Sequence, residues 1–330
     1  MTTNPPPFQF PQPPTLDLSI VIVNFNTRKI ILDCINSIHT HTEEISFEIL
    51  VVDNHSTDGS QQAIKETFPH VPLIENKDNR GFSVANNQAL RISRGRYTVL
   101  LNSDTLLTEN CFAKIVRYLD DHPEFAILSP EILNPHGEPC PMRLWEDTAG
   151  DAILKIIGRY DPASEFKKMG VRESREVEAI GGSCFVIRRQ IFESTGLFDE
   201  NYFLYNEEDD FCRRARRLGH KICYYPETRV KHLLGQSTHQ PEIREKVILE
   251  TYKSNLYFYR KYYSFAWNFV LRCIYRLTFV AGILRSLCKK MTGRSPLEAE
   301  DSISLKLKLL FMKIPIPGRL EPPMNTDKHR

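Results

Sequence analysis

The sequence predicts an α/β fold: a mostly parallel sheet with helices on both faces, followed by a C-terminal helical extension. Three observations predict it. From Leu18 onward, short and almost wholly apolar runs alternate with helical patterns of roughly 10–15 residues, as in βαβ units whose strands are buried on both faces. Polar residues stand at the end of each apolar run, where open α/β sheets bind their ligands. Beyond residue 242 the pattern changes to long helical stretches rich in aromatic and basic residues.

The elements follow in order. "LSIVIVN" (18–24) reads as the first strand and 27–41 as a helix; "FEILVVDN" (47–54) is the second strand, followed by a helix near 58–68. "VPLIEN" (71–76) precedes a helix near 82–94, "RYTVLLNSD" (96–104) a helix near 108–121, and "FAILSPEIL" (125–133) closes the regular half. The second half is less even. "EVEAIGGSCFVIRR" (176–189) reads as a strand, a glycine pair and a second strand; "FLYNEEDDFCRRARRLG" (203–219) is an acid-rich helix, and "HKICYYP" (220–226) a further strand before "RVKHLLGQST" (229–238).

Composition sets the class. At 330 residues, 41% hydrophobic and 25% charged, the chain can bury a full-sized core, and a net charge of +2 makes it neither a polyanion binder nor an acidic solvating protein. Eight cysteines (34, 111, 140, 184, 212, 223, 273, 288) contain no C-x-x-C pair. That pattern argues against a zinc site and a disulfide framework and suits reduced cytosol. "MTTNPPPFQFPQPP" lacks the basic flank and apolar run of a signal peptide and is expected to be a disordered, proline-rich tail. The expected division is a tail over 1–16, an α/β domain over 17–241, a basic and aromatic helical extension over 242–312 and a flexible tail over 313–330.

The strand ends carry the candidate chemistry. Strand one ends in Asn24-Phe25-Asn26-Thr27, strand two in Asp53-Asn54, strand three runs into "NKDNRGF", and strand four ends in Asn102-Ser103-Asp104. Each alone suits a helix cap; four together point to a ligand edge. No G-x-G-x-x-G follows the first strand and no P-loop is present. A nucleotide would instead meet an acid such as Asp53, and Asp104 could place a divalent cation on a diphosphate. Gly181 and Gly182 let the backbone approach a ligand or another strand.

The run Glu207-Glu208-Asp209-Asp210 admits two readings. Asn206 can cap the helix, with acids in its first turn and arginines in its last. At 100° per residue, however, Phe211, Ala215 and Leu218 define an apolar face, with Glu207 and Glu208 about 40° and 60° to either side and Asp209 nearly opposite. A carboxylate aimed along a core-facing stripe is paired or lines a cavity. His232 is isolated in sequence, and a lone histidine is ordinarily structural.

Together these pieces resemble family 2 glycosyltransferases of the GT-A fold, a Rossmann-like architecture, and in particular bacterial rhamnosyltransferase-like members. The resemblance spans about 18–238 and rests on "SIVIVNFNT", "VVDNHSTDGS", "NRGFSVANNQAL", "LLNSDTLL", "GGSCFVIRR", "GLFDENYFLYNEEDDFCRR" and "YYPETRVKHLLGQST" in that order. It implies inverting transfer of a sugar from a nucleotide-diphosphate donor (dTDP, UDP or GDP) to a hydroxyl of a glycan or lipid-linked acceptor in cell-surface polysaccharide assembly. It implies Glu208 as catalytic base, supported by Glu207 and Asp210, with Asn24, Asn26, Asp53, Asn79, Arg80 and Asn102 near the nucleotide sugar. It further implies an acceptor contact at Gly181 and Gly182, and Mg2+ or Mn2+ at Asp104 and His232. The family's D-x-D begins here with Asn102, so binding of metal by the protein alone is expected to be weak.

The stretch 252–290 is interrupted by Arg272, Arg276 and Arg285, which makes it a poor transmembrane helix. Between 244 and 294 stand eleven Lys/Arg and two Asp/Glu. Such a segment suits an anionic membrane surface, a packed extension or a dimer contact. No nucleic-acid module is visible. The expected location is therefore cytoplasmic, peripheral on the membrane's cytoplasmic face if the helix docks there. Two other functions stay open: a nucleotidyltransferase, which would want a glycine- and lysine-rich loop where "NFNTRK" stands, and a binding subunit without catalysis.

Overall fold

The computed structural model describes residues 4–312 except 143, 147, 162, 164–165, 167–172, 236–240 and 292–302. The tail 313–330 and Ser237 of the histidine pattern lie outside the described residues.

The Val-, Ile- and Leu-rich runs form one nine-stranded sheet. Its order is β3 (Leu73–Glu75), β2 (Phe47–Asp53), β1 (Leu16–Asn24), β4 (Gly95–Asn102), β8 (Cys184–Arg188), β6 (Phe125–Leu133), β9 (Lys221–His232) and β5 (Thr105–Leu106), with β7 (Arg175–Val177) also paired to β9. The first four strands in that order are parallel, because helices α1 (Arg28–His41), α2 (Ser60–Thr67) and α3 (Phe82–Leu90) carry the chain back between them. β8 then enters antiparallel between β4 and β6. Ile20, Ile22, Val51, Val99, Leu101 and Val186 are among the fully buried strand residues of the main core. Helices α4 (Cys111–Asp121), α5 (Ala149–Ile156), the one-turn α6 (Phe192–Thr195) and the acid-rich α7 (Glu207–Arg217) complete the α/β part.

Register fixes the functional edge. Asn24 pairs with Asp53, and Val23 with Asn102, so three parallel strands end level with one another. The antiparallel β8 begins at that same level, where Asn102 N–H donates to Ser183 O over 3.1 Å. β9 brings His232 opposite Thr105. The run expected at 220–226 and the first residues of 229–238, as far as His232, are one strand, bent where its register slips between the pairs Pro130–Tyr225 and Glu131–Arg229.

The N-terminal segment departs from the expectation of disorder. Phe8 N–H donates to Phe192 O, Arg189 donates to Gln12 O, and the Arg189 guanidinium lies 3.7 Å from the centre of the Phe10 ring. Composition favoured disorder because prolines dominate, yet they set an extended backbone that lets two phenylalanines reach a buried face.

The C-terminal stretch is two helices, α8 (Pro241–Tyr262) and α9 (Phe265–Met291), followed by α10 (Ile303–Leu310). Ser264 separates the first two and accepts Trp267 N–H on its hydroxyl, as a helix N-cap does. α8 is joined to α7 and to the loop at Asp199 by a buried charge network. Lys261, fully buried, holds Asp199 at 2.7 Å and Asp210 at 2.6 Å, while Arg214 and the Tyr262 hydroxyl also donate to Asp210. Burial alone would raise the Asp210 carboxyl, but Arg214 and Lys261 hold it below the ordinary carboxylate range. Because a lowered native pKa stabilises above the unfolded value, this contribution is present at neutral pH and is lost as acid protonates the group. Lys261→Met leaves two buried carboxylates short of a cation and is expected to cost about 3–5 kcal/mol, read from urea unfolding at pH 7.

Candidate active site

A cavity of about 540 Å³ opens at the level carboxyl edge of the strands. Backbone strain concentrates there. Among the described residues six non-glycine residues have positive φ, and Asn26, His55 and Leu234 follow β1, β2 and β9, while Tyr205 and Asn206 precede α7. Left-handed backbone at non-glycine residues costs free energy and is held in place by the surrounding structure, commonly at functional sites.

The acid-rich helix meets this cavity end-on. Asn206 does not act as the expected side-chain cap: at φ 68° its amide instead donates to Asn255 of α8. The first turn consequently has no side-chain cap and faces the cavity, with Glu207, Glu208 and Asp209 all lining it. Asp209, expected to point into solvent, thus joins the wall, and Leu218, expected on the apolar face, is exposed as the residue that ends the helix. Asp210 goes the other way. It is fully buried in the Lys261–Arg214 network and is not among the lining residues, so it braces the helix and does not reach the cavity.

Glu207 and Glu208 are neighbours with unequal surroundings. Glu207 is 2% exposed, its Oε2 has no hydrogen-bond partner, and its carboxyl is pushed well above the ordinary glutamate range, first by burial and then by Glu208 beside it. Glu208 is the less buried of the two and lies against the glycine pair. A Cβ on Gly182 would collide with Glu208 Oε1 and stand 2.6 Å from its Cδ, whereas one on Gly181 would meet only Met142 Cγ at 3.9 Å. Gly182 therefore makes room for the Glu208 carboxylate. Gly182→Ala is expected to displace it, lowering activity while leaving the melting temperature nearly unchanged; full activity in that variant would contradict this role.

Asp104 and His232 line the same cavity and sit side by side. The β5–β9 pairing and the Leu233 N–H to Asp104 O bond bring two residues 128 positions apart together, with His232 Nε2 2.9 Å from Asp104 Oδ1. Ser183 Oγ lies 3.3 Å from Nδ1, and Asn102 Nδ2 lies 3.5 Å from Nε2. One carboxylate and one imidazole suit a cation that keeps other ligands, such as water or phosphate oxygens. No group of three or more His, Cys, Asp or Glu able to hold a metal occurs among the described residues.

The other expected nucleotide residues divide by face. Asn79 and Asn102 line the cavity, but Asn24, Asn26, Asp53 and Arg80 do not. Asp53 is fully buried and accepts from Asn24, Ser56 N–H and Gln61, because alternate residues at a strand end face opposite ways and the cavity side falls to Asn54. Sequence reasoning also missed Lys246, Val247 and Asn255, cavity residues supplied by α8 from beyond the expected domain boundary. Lys246 lies 4.7 Å from the centre of the Phe203 ring, and burial draws its ammonium below the ordinary lysine range. Nothing in its local sequence marked it.

A mixed α/β sheet with an acid-walled cavity at its carboxyl edge and trailing C-terminal helices is a GT-A fold. Residues 19–196, more than half of the chain, match glycosyl transferase family 2, and the chain belongs to that family. It is 31% identical over 205 residues to the low-salt glycan biosynthesis hexosyltransferase Agl10 of Haloferax volcanii, a match covering 61% of this chain and 62% of that protein. It is 27% identical over 207 residues to the N-acetylglucosaminyl-diphospho-decaprenol L-rhamnosyltransferase of Mycobacterium tuberculosis, covering 58% of this chain and 67% of the relative. The chain thus spans about two thirds of the length of these relatives. In fold it is similar to GalNAc-T7, solved with UDP, GalNAc and Mn2+, with a TM-score of 0.51 and 18% identity over 74% of this chain and 50% of the other.

Proposed function

We propose that the chain transfers a sugar, rhamnose or a similar hexose, from a nucleotide-diphosphate donor to a hydroxyl of a glycan or lipid-linked acceptor, with inversion, in cell-surface polysaccharide assembly. The observation that carries this reading is the placement of Glu208, a cavity-facing carboxylate seated against Gly182 and backed by the buried Glu207. In the reaction the acceptor oxygen bonds to the anomeric carbon as its proton passes to Glu208, and the bond from that carbon to the diphosphate oxygen breaks with its electron pair leaving on the diphosphate. Glu207, whose carboxyl burial and the neighbouring Glu208 push well above the ordinary glutamate range, braces Glu208 from the buried side.

Asp104 and His232 would hold Mg2+ or Mn2+. When bound, the cation neutralises charge on the departing diphosphate. Asn54, Asn79 and Asn102 face the donor, and Asp53 shapes the loop after β2 through Asn24, Ser56 and Gln61. Retention by a pair of flanking carboxylates is disfavoured, because the second acid of the pair is buried beside the first. We divide the chain into a transferase domain over 17–241 and a helical extension over 242–312 whose first helix closes the cavity.

Names of the relatives support a hexosyl or L-rhamnosyl donor. Calorimetry with dTDP-rhamnose and the UDP- and GDP-sugars, with Mg2+ or Mn2+ present, tests the reading: one donor is expected to bind in a metal-dependent way. Binding of none would return the chain to the non-catalytic binding-subunit reading.

A further inference from the structure

Helix α9 has two faces with opposite fates. Leu271, Tyr275, Phe279 and Ser286 are buried; the first three pack with Tyr252, Tyr257 and Leu305 into a second hydrophobic cluster, and the Ser286 hydroxyl accepts from Lys306 Nζ. At 100° per residue these four cluster on one side of the helix axis. Phe269, Val270, Leu277, Val280, Leu284 and Leu287 fall within an arc of about 100° on the other side, and all are exposed, Leu277 to 68% and Leu284 to 58%. From Val270 to Leu287 the apolar stripe runs about 25 Å along the helix. Monomeric soluble proteins seldom leave so continuous a stripe in water.

Charge indicates what covers it. Arg272 and Arg276 lie along one flank of the stripe and Arg285 along the other, all exposed, and α9 contains no acidic residue. A second copy of the chain packed on this face would set arginines against arginines with no carboxylate of the helix between them. A layer of anionic headgroups would supply the missing counter-charge, while the leucines enter the acyl boundary below it. Among the described residues no helix is long and apolar enough to cross a membrane, so the helix would lie in the plane of the surface. We infer that α9 docks the protein on an anionic bilayer through this arginine-rimmed apolar stripe. The inference does not depend on the proposed sugar transfer.

Flotation of the full chain with phosphatidylcholine vesicles, with and without phosphatidylglycerol, tests it. The protein is expected to float with the anionic vesicles and to be released by salt. Partitioning should fall by about tenfold or more both in Leu277→Ser/Leu284→Ser and in Arg276→Gln/Arg285→Gln. Those side chains are exposed, so melting temperatures should stay within a few degrees of the parent. Failure to float with anionic vesicles overturns the inference. So does equal binding by either double variant, or a dimer in light scattering that becomes a monomer in Leu277→Ser/Leu284→Ser without vesicles.

Discussion

Glu208→Gln is expected to lower turnover by about 10²–10⁴-fold, the contribution typical of a positioned general base, while donor affinity stays near that of the parent. The amide keeps the shape of the carboxylate against Gly182 but cannot take the acceptor proton. Glu207→Gln separates the two acids of the pair. If Glu207 is protonated in the native protein, glutamine preserves its neutral character and its ability to donate to Glu208, so activity should exceed that of Glu208→Gln by at least about tenfold. A stability signature accompanies it. A carboxyl whose native pKa is raised loses native-state stability as pH climbs from the ordinary glutamate range toward that raised value. The melting temperature of Glu207→Gln should therefore gain on the parent as pH rises. A gap that shrinks with pH would place the charge on Glu207 and make it the stronger candidate for the base.

The second large effect is expected at Asp104. Asp104→Ala removes the one charged ligand of the candidate cation site and leaves His232 without its 2.9 Å partner. Loss of an outer-shell partner alone costs about 10–100-fold in metal affinity, so loss of this carboxylate should weaken metal-dependent donor binding by about 100-fold or more. The measurement is donor calorimetry over a Mn2+ titration. Donor binding by Asp104→Ala that still rises with metal as in the parent would move the cation elsewhere in the cavity.

Much of this was legible in the sequence, and the reason is periodicity. Buried parallel strands must be apolar throughout, so β1, β2, β4 and β6 stood out within a residue or two, and the edge they share pointed to Asn102 and Asp104. The family resemblance, not the spacing, singled out Glu208; helical spacing set both Glu207 and Glu208 beside the core-facing stripe. That rule failed at the helix ends: Asp209 in the first turn lines the cavity, and Leu218 beyond the last turn is exposed, because a terminus opens onto what lies before or after it as well as what lies beside it.

What the sequence concealed depends on long-range pairing. Asp53 looked like a ligand residue, but its partners Asn24 and Gln61 come from two other elements, and only the strand's alternation turns Asn54 to the cavity. Asp210 looked like a helper of the base until Lys261, 51 positions away by numbering, proved to hold it below the helix. Lys246 and Asn255 sit on a helix whose pattern gave no sign that one face would close a cavity.

Inverting sugar transfer with Glu208 as base leaves a stereochemical signature in the product. The most direct measurement is proton NMR of the first-formed product with the donor identified by calorimetry, recording the configuration at the anomeric carbon and the rate in the parent and in Glu208→Gln. Inversion is expected in the parent, with a rate at least about 100-fold lower in the variant. A product that keeps the donor's configuration, or a variant that matches the parent's rate, would contradict it.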